Sequence, residues 1–164
     1  MKAQDVLKSQ LSGTQQFLAR LVGDLSDADF LVRPVDKANT IAWQMGHMIA
    51  AEQMFGKENL PGVQYPALPP GFAEQHSNAT AAVEPPKGFL SKAQYMDLFN
   101  ATRGATIAAV GRISEADFDK PTTGRMAQFC PKVGDIAGML ASHTLMHAGQ
   151  FTVLRRKLGK PVLM

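Results

Sequence analysis

A single cysteine stands among the 164 residues, which excludes an internal disulfide framework and a cysteine-rich zinc finger and suits a reducing compartment. A dense basic patch is missing too. Seventeen Lys and Arg face 14 Asp and Glu, for a net charge of +3, too even a balance for a nucleic-acid-binding surface. No hairpin dipeptide separates two alternating apolar runs, so strand signals are scarce. The opening MKAQDVLKSQ has no apolar h-region; no secretory signal is expected there, and the expected location is cytoplasmic. Residues 136 to 154 hold no Asp, Glu, Lys or Arg, and that run has about the length of a membrane span. Yet Ser142, His143, Thr144, His147, Gln150 and Thr152 lie within it, and burying two imidazoles and an amide in lipid is expensive. A helix wrapped by other helices accounts for the run better, and no membrane partner is expected.

What is present suits one compact domain over residues 1–164, with 45% apolar and 19% charged residues. Hydrophobic periodicity predicts four helices. The first carries Leu7, Leu11, Thr14, Leu18, Leu21 and Leu25 on one stripe. A second starts at Asn39 or Thr40, either a good N-cap, and runs to Phe55, where Gly56 can end it. The third opens on Ser91-Lys92-Ala93-Gln94, a capping-box pattern, and presents a stripe of Leu98, Thr102, Ala105, Ala109 and Ile113, small enough for close approach of a neighbour. The fourth spans about Val133 to Leu158, with Ile136, Leu140, His143, His147, Phe151, Leu154 and Leu158 on one face. The expected class is all-α.

A pattern recurs beneath these helices. Ser26-Asp27-Ala28-Asp29-Phe30 is followed by Pro34, and Ser114-Glu115-Ala116-Asp117-Phe118 by Pro121. Each block leads through a loop to a helix with an inward histidine, which reads as two helix–turn–helix halves of similar plan. Between the halves, residues 57 to 90 hold six of the ten prolines. A connection of that length can cross a bundle from end to end and lets the second and third helices run parallel.

Three of the four histidines fall on predicted core stripes. His143 and His147, four apart, stand on the same helical face, and their imidazoles can converge on one metal ion. His47 lies midway along the second helix with Trp43, Ala50, Ala51 and Met54; if helices two and four are adjacent it can complete a three-nitrogen site. Three protein ligands and an open position are the arrangement of a catalytic rather than a structural metal. Spacing alone leaves the alternative of packed core histidines open, although burying three unpartnered rings would cost about 1–3 kcal/mol each.

Arg33-Pro34, the segment from Asn39 through Trp43 to His47, and His143-Thr144-Leu145-Met146-His147-Ala148-Gly149-Gln150 resemble the DinB/YfiT-like superfamily of small helix bundles, over nearly the whole chain. The resemblance implies an up-down-down-up four-helix bundle with a long crossover between helices two and three. It further implies His47, His143 and His147 as ligands of a divalent metal, zinc or nickel. Family members include thiol-dependent S-transferases and a thiol-dependent isomerase that use low-molecular-weight thiols.

The function this implies is thiol transfer to a small electrophile at a metal site. A metal-dependent hydrolase is the competing enzyme, since a metal lowers the pKa of bound water. No carboxylate lies on the histidine stripes to act as a base: Glu52 is five residues past His47, and Asp135 is two turns before His143. Transfer by a thiolate has less need of one. A haem- or cofactor-holding module and a non-catalytic dimerising bundle are the other readings, and a homodimer is expected. Gln150 is a candidate substrate or outer-sphere group, Trp43 a candidate pocket wall, and Arg155 a candidate receptor for substrate carboxylates. Cys130 reads as a spectator thiol, and His76, in a polar stretch of the long loop, as solvated.

Overall fold

The long helices begin where a side chain or a capping carboxylate can satisfy their free backbone N–H groups. Thr40 Oγ1 accepts from Trp43 N at 3.1 Å, and Ser91 forms the expected capping box with Gln94. Asp135 reaches back to Lys132 N at 2.9 Å. The computed structural model describes residues 2–83, 88–161 and 163; Pro85 and Pro86 of the predicted crossover lie outside them. Four long helices, α1 (Ala3–Val22), α3 (Ile41–Asn59), α5 (Lys92–Val110) and α7 (Val133–Lys157), alternate with three single-turn ones, α2 (Asp27–Phe30), α4 (Phe72–Gln75) and α6 (Glu115–Phe118). A 3₁₀ turn covers Gly124–Met126, and no strand is present among the described residues. The protein is all-helical, as its periodicity predicts.

The repeated Ser-acid-Ala-Asp-Phe blocks are α2 and α6, capped by Ser26 and Ser114. Phe30 and Phe118 end these turns and are buried in different parts of the core. Helix α1 packs on α5 and α7, and α3 packs on the same two, so the second and fourth predicted helices are neighbours. One apolar cluster gathers Leu18, Phe30, Met45, Phe99 and Phe151; the other gathers Leu11, Val110, Phe118, Ile136 and Leu140.

A polar layer occupies the level between them. The Arg103 guanidinium meets the Glu52 carboxylate through Nε at 2.9 Å and Nη2 at 2.7 Å. It also donates to Thr14 Oγ1 at 3.0 Å and Thr144 Oγ1 at 2.8 Å, and Thr106 Oγ1 donates to Glu52 at 2.6 Å. Both charged residues are almost wholly buried, a placement that is tolerable only because every donor and acceptor finds a partner.

Two helix boundaries differ from their periodicity. Helix α1 ends at Val22, and Leu25 is buried from the following turn. Helix α3 continues through Gly56 to Asn59. Gly56 serves close approach: a Cβ there would lie 1.9 Å from Tyr65 Oη. No helix is long and apolar enough to cross a membrane among the described residues.

Candidate metal centre

Helices α3 and α7 bring His47, His143 and His147 together, with one ligand nitrogen from each lying within 4.8 Å of the others. His143 and His147 are one turn apart on α7, and their Nε2 atoms face each other at 3.1 Å. The His47 ring stands edge-on to both, with centroids 5.3 and 5.4 Å away. Trp43, one turn earlier on α3, stacks on His47 at 4.9 Å with the planes 8° apart, and its Nε1–H donates to Thr80 Oγ1 at 3.2 Å.

The contacts behind the rings fix their orientation. His147 donates Nδ1–H to Gln44 Oε1 at 2.8 Å, and Gln44 Nε2 donates to Asn39 O at 3.0 Å, which sets the amide's direction. With Nδ1 protonated, His147 Nε2 carries the lone pair and turns it toward His143. His47 hydrogen-bonds the His76 backbone. A ring nitrogen tied to a carbonyl or amide while the other faces a shared point is the usual outer support of a metal-bound imidazole.

Burial keeps the three rings neutral. It lowers His143 to about 4, with the charges of His47 and Arg103 adding to the effect. Burial likewise lowers His147 to about 3, with His143 and His47 contributing. His47 is shifted down by burial, partly offset by its bond to the His76 backbone. Neutral imidazole is the form that binds a metal. Three neutral nitrogens, one tautomer fixed by Gln44, fit a divalent ion in their donor chemistry.

His76 departs from its expected solvated state. It is 1% exposed, donates Nδ1–H to Phe72 O at 2.7 Å and accepts from Tyr95 Oη at 2.7 Å. Its ring lies flat against α3 at Gly46, where a Cβ would come within 2.1 Å of Cδ2. The loop thus reaches the three-histidine cluster through a residue whose polar sequence neighbours suggested water. Arg155 is also placed away from a substrate role: it is fully buried and bonded to Asp24, to Leu21 O at 2.7 Å and to Pro161 O at 2.8 Å. Gln150 is exposed on α7, while Trp43 walls His47 on one side. Glu52 points to Arg103, and Asp135 caps α7, so neither carboxylate faces the rings. Cys130 is buried, and burial pushes its thiol up.

The chain belongs to the DinB superfamily, whose family model matches residues 10–151. Its fold is similar to that of a solved structure described as the conserved protein of locus from Enterococcus faecalis. The two share 15% identity at a TM-score of 0.63, over 98% of this chain and 99% of that one. No curated protein matches it. A likeness at that identity speaks for the fold, and the family membership together with the three-histidine cluster describes a helical protein with a group suited to a metal ion.

Proposed function

We propose that the protein is a metal-dependent enzyme that transfers a low-molecular-weight thiol to a small electrophile, with His47, His143 and His147 holding one zinc or nickel ion. A divalent ion there supplies Lewis acidity that favours the anionic, nucleophilic form of a thiol at neutral pH. This chain's part is to hold three neutral imidazoles together, that of His147 in the tautomer Gln44 fixes, and to wall the site with Trp43. Transfer forms a sulfur–carbon bond as the electrophile's leaving group departs with the bonding pair, and the thiol proton passes to solvent.

The observation that carries transfer over hydrolysis is the absence of a free base among the described residues around the rings. Glu52 is bound by Arg103, and His76 Nε2 is taken by Tyr95. Water activation is helped by such a base, whereas a thiol ionises closer to neutral pH.

The up-down-down-up order belongs to the same proposal. Its support is that Leu21 lies against Arg155 and Gly138 against Leu7, so α1 and α7 run alike. Gln4 meets Val110 while Lys92 meets Gly23, so α5 opposes α1. A cytoplasmic location suits the lone unpaired cysteine, and a homodimer is part of the proposal.

Elemental analysis of untagged protein purified without chelators tests the metal. About one equivalent of zinc or nickel, lost on His143→Ala, is the expected result; no uptake of either ion overturns it. Thiol consumption in the presence of alkylating electrophiles tests the chemistry, and a metal-loaded protein that neither binds nor consumes any physiological small thiol refutes transfer.

A further inference from the structure

A cavity of about 440 Å³ opens beside His47. One of its sides is a stripe of α3, with His47, Ala50, Met54 and Lys57 following at three- and four-residue steps; Leu68 and Ala73 add apolar surface from the long loop. The helix rise puts the Lys57 backbone about 15 Å from that of His47, and Cβ vectors tilt the lysine back toward the histidine.

Arg125 lines the same cavity, and its position is built. Thr123 N donates to Asn59 Oδ1 at 2.8 Å and Thr123 Oγ1 to Glu58 O at 3.3 Å, which moors the segment to the C-terminal end of α3. Gly124 then turns with φ of 72° against Glu58, where a Cβ would meet Oε2 at 2.6 Å, and the next residue is Arg125. No carboxylate lines the cavity among the described residues. Lys57 Nζ donates to Gln53 Oε1 at 3.3 Å, and the Arg125 guanidinium has no protein partner among the described residues. A cleft with apolar sides, charge of one sign and a guanidinium to spare selects an oxyanion.

We propose that this cleft seats an elongated anionic substrate: a reactive head at His47, an apolar body along Ala50 and Met54, and a terminal carboxylate or phosphate held by Lys57 and Arg125. The head rests on the metal reading above; the anion-binding end does not.

Calorimetry on zinc-loaded protein compares suberic acid monohydroxamate, its phosphonate analogue and its methyl ester. At least one anion should bind at least about tenfold tighter than the ester, with the tighter of the two naming the terminal group. The double variant K57A/R125A should abolish that preference and leave the ester's affinity unchanged. Equal binding of ester and both anions overturns the proposal, as does a preference that survives the double variant.

A second measurement separates this from failure of the metal site. Octanoate and octyl phosphate, titrated into metal-free protein, should shift the Arg125 Nε–H resonance, which R125K identifies by removing it, and K57A should weaken the effect. If zinc is not taken up but these shifts occur, the anion site stands and the metal reading falls. No shift with either anion refutes the anion site whatever the metal does.

Discussion

Gln44 and His147 are joined across α3 and α7 by a 2.8 Å hydrogen bond from the ring's Nδ1–H to the amide oxygen. This bond leaves the opposite nitrogen, Nε2, bare and directed at His143. One neutral side chain thereby decides which face of a second one is available for coordination.

Replacing Gln44 by Ala should therefore weaken zinc or nickel binding by about 10–100-fold while the helical content holds, the range seen when an outer-sphere partner of a metal-bound histidine is lost. Competition against a chromophoric chelator measures the affinity, and circular dichroism checks the fold. Unchanged affinity would mean that the bond orients nothing.

Chelator-treated protein should lose stability on mild acidification. The folded pKa values of His143 and His147, about 4 and about 3, lie below the ordinary 6.5. Between those values the unfolded chain binds protons that the folded chain refuses. Stability is fully present above about pH 6.5 and falls as pH drops through the window. Urea midpoints at several pH values give the slope, and H143Q/H147Q should reduce it, leaving the part due to His47 and His76, which burial also shifts down.

The buried Arg103–Glu52 pair gives a prediction with a built-in control. Glu52→Leu alone strands a guanidinium in the interior and should cost about 3–5 kcal/mol. Adding Arg103→Met should recover most of that loss, because the stranded charge is gone. Denaturant unfolding measures both, and a double variant as unstable as the single one would contradict the argument.

Gly46→Ala should destabilise by about 1–3 kcal/mol, the usual cost of overpacking, because the new methyl would collide with the His76 ring. Exchange protection should fall in residues 72 to 76 before it falls in α1. A neutral effect would show that the loop yields easily.

Features of local origin were legible in the sequence. The caps at Thr40, Ser91, Ser26 and Ser114 depend on residues three apart, and the stripe on α7 depends on helical period alone. The convergence of His47 with His143 and His147 was legible only on the condition that their helices are neighbours, which the packing of α3 on α7 supplies. Features decided by distant partners were hidden. Glu52 sits well around the helix from His47, and its burial is explained by Arg103, 51 residues away, with Thr106. Gly56 reads like a helix end because a glycine that ends a helix and one that admits a tyrosine look alike in a string. His76 had the same obscurity, and its only advance sign was Gly46, a residue without a side chain beside the first candidate ligand. Arg125 needed the turn at Gly124 to bring it to α3.

The Gln44–His147 bond spans 103 positions, and that separation bears on the order of events during synthesis. His47 leaves the ribosome long before α7 exists, and Tyr95, which bonds the loop's His76, is made between the two. A chain that stops before α7 lacks both of the other ligand nitrogens and the partner of the Gln44 amide. Under the proposed function, metal would thus load only once α7 is made, and any product of the message that ends before His147 would be denied it.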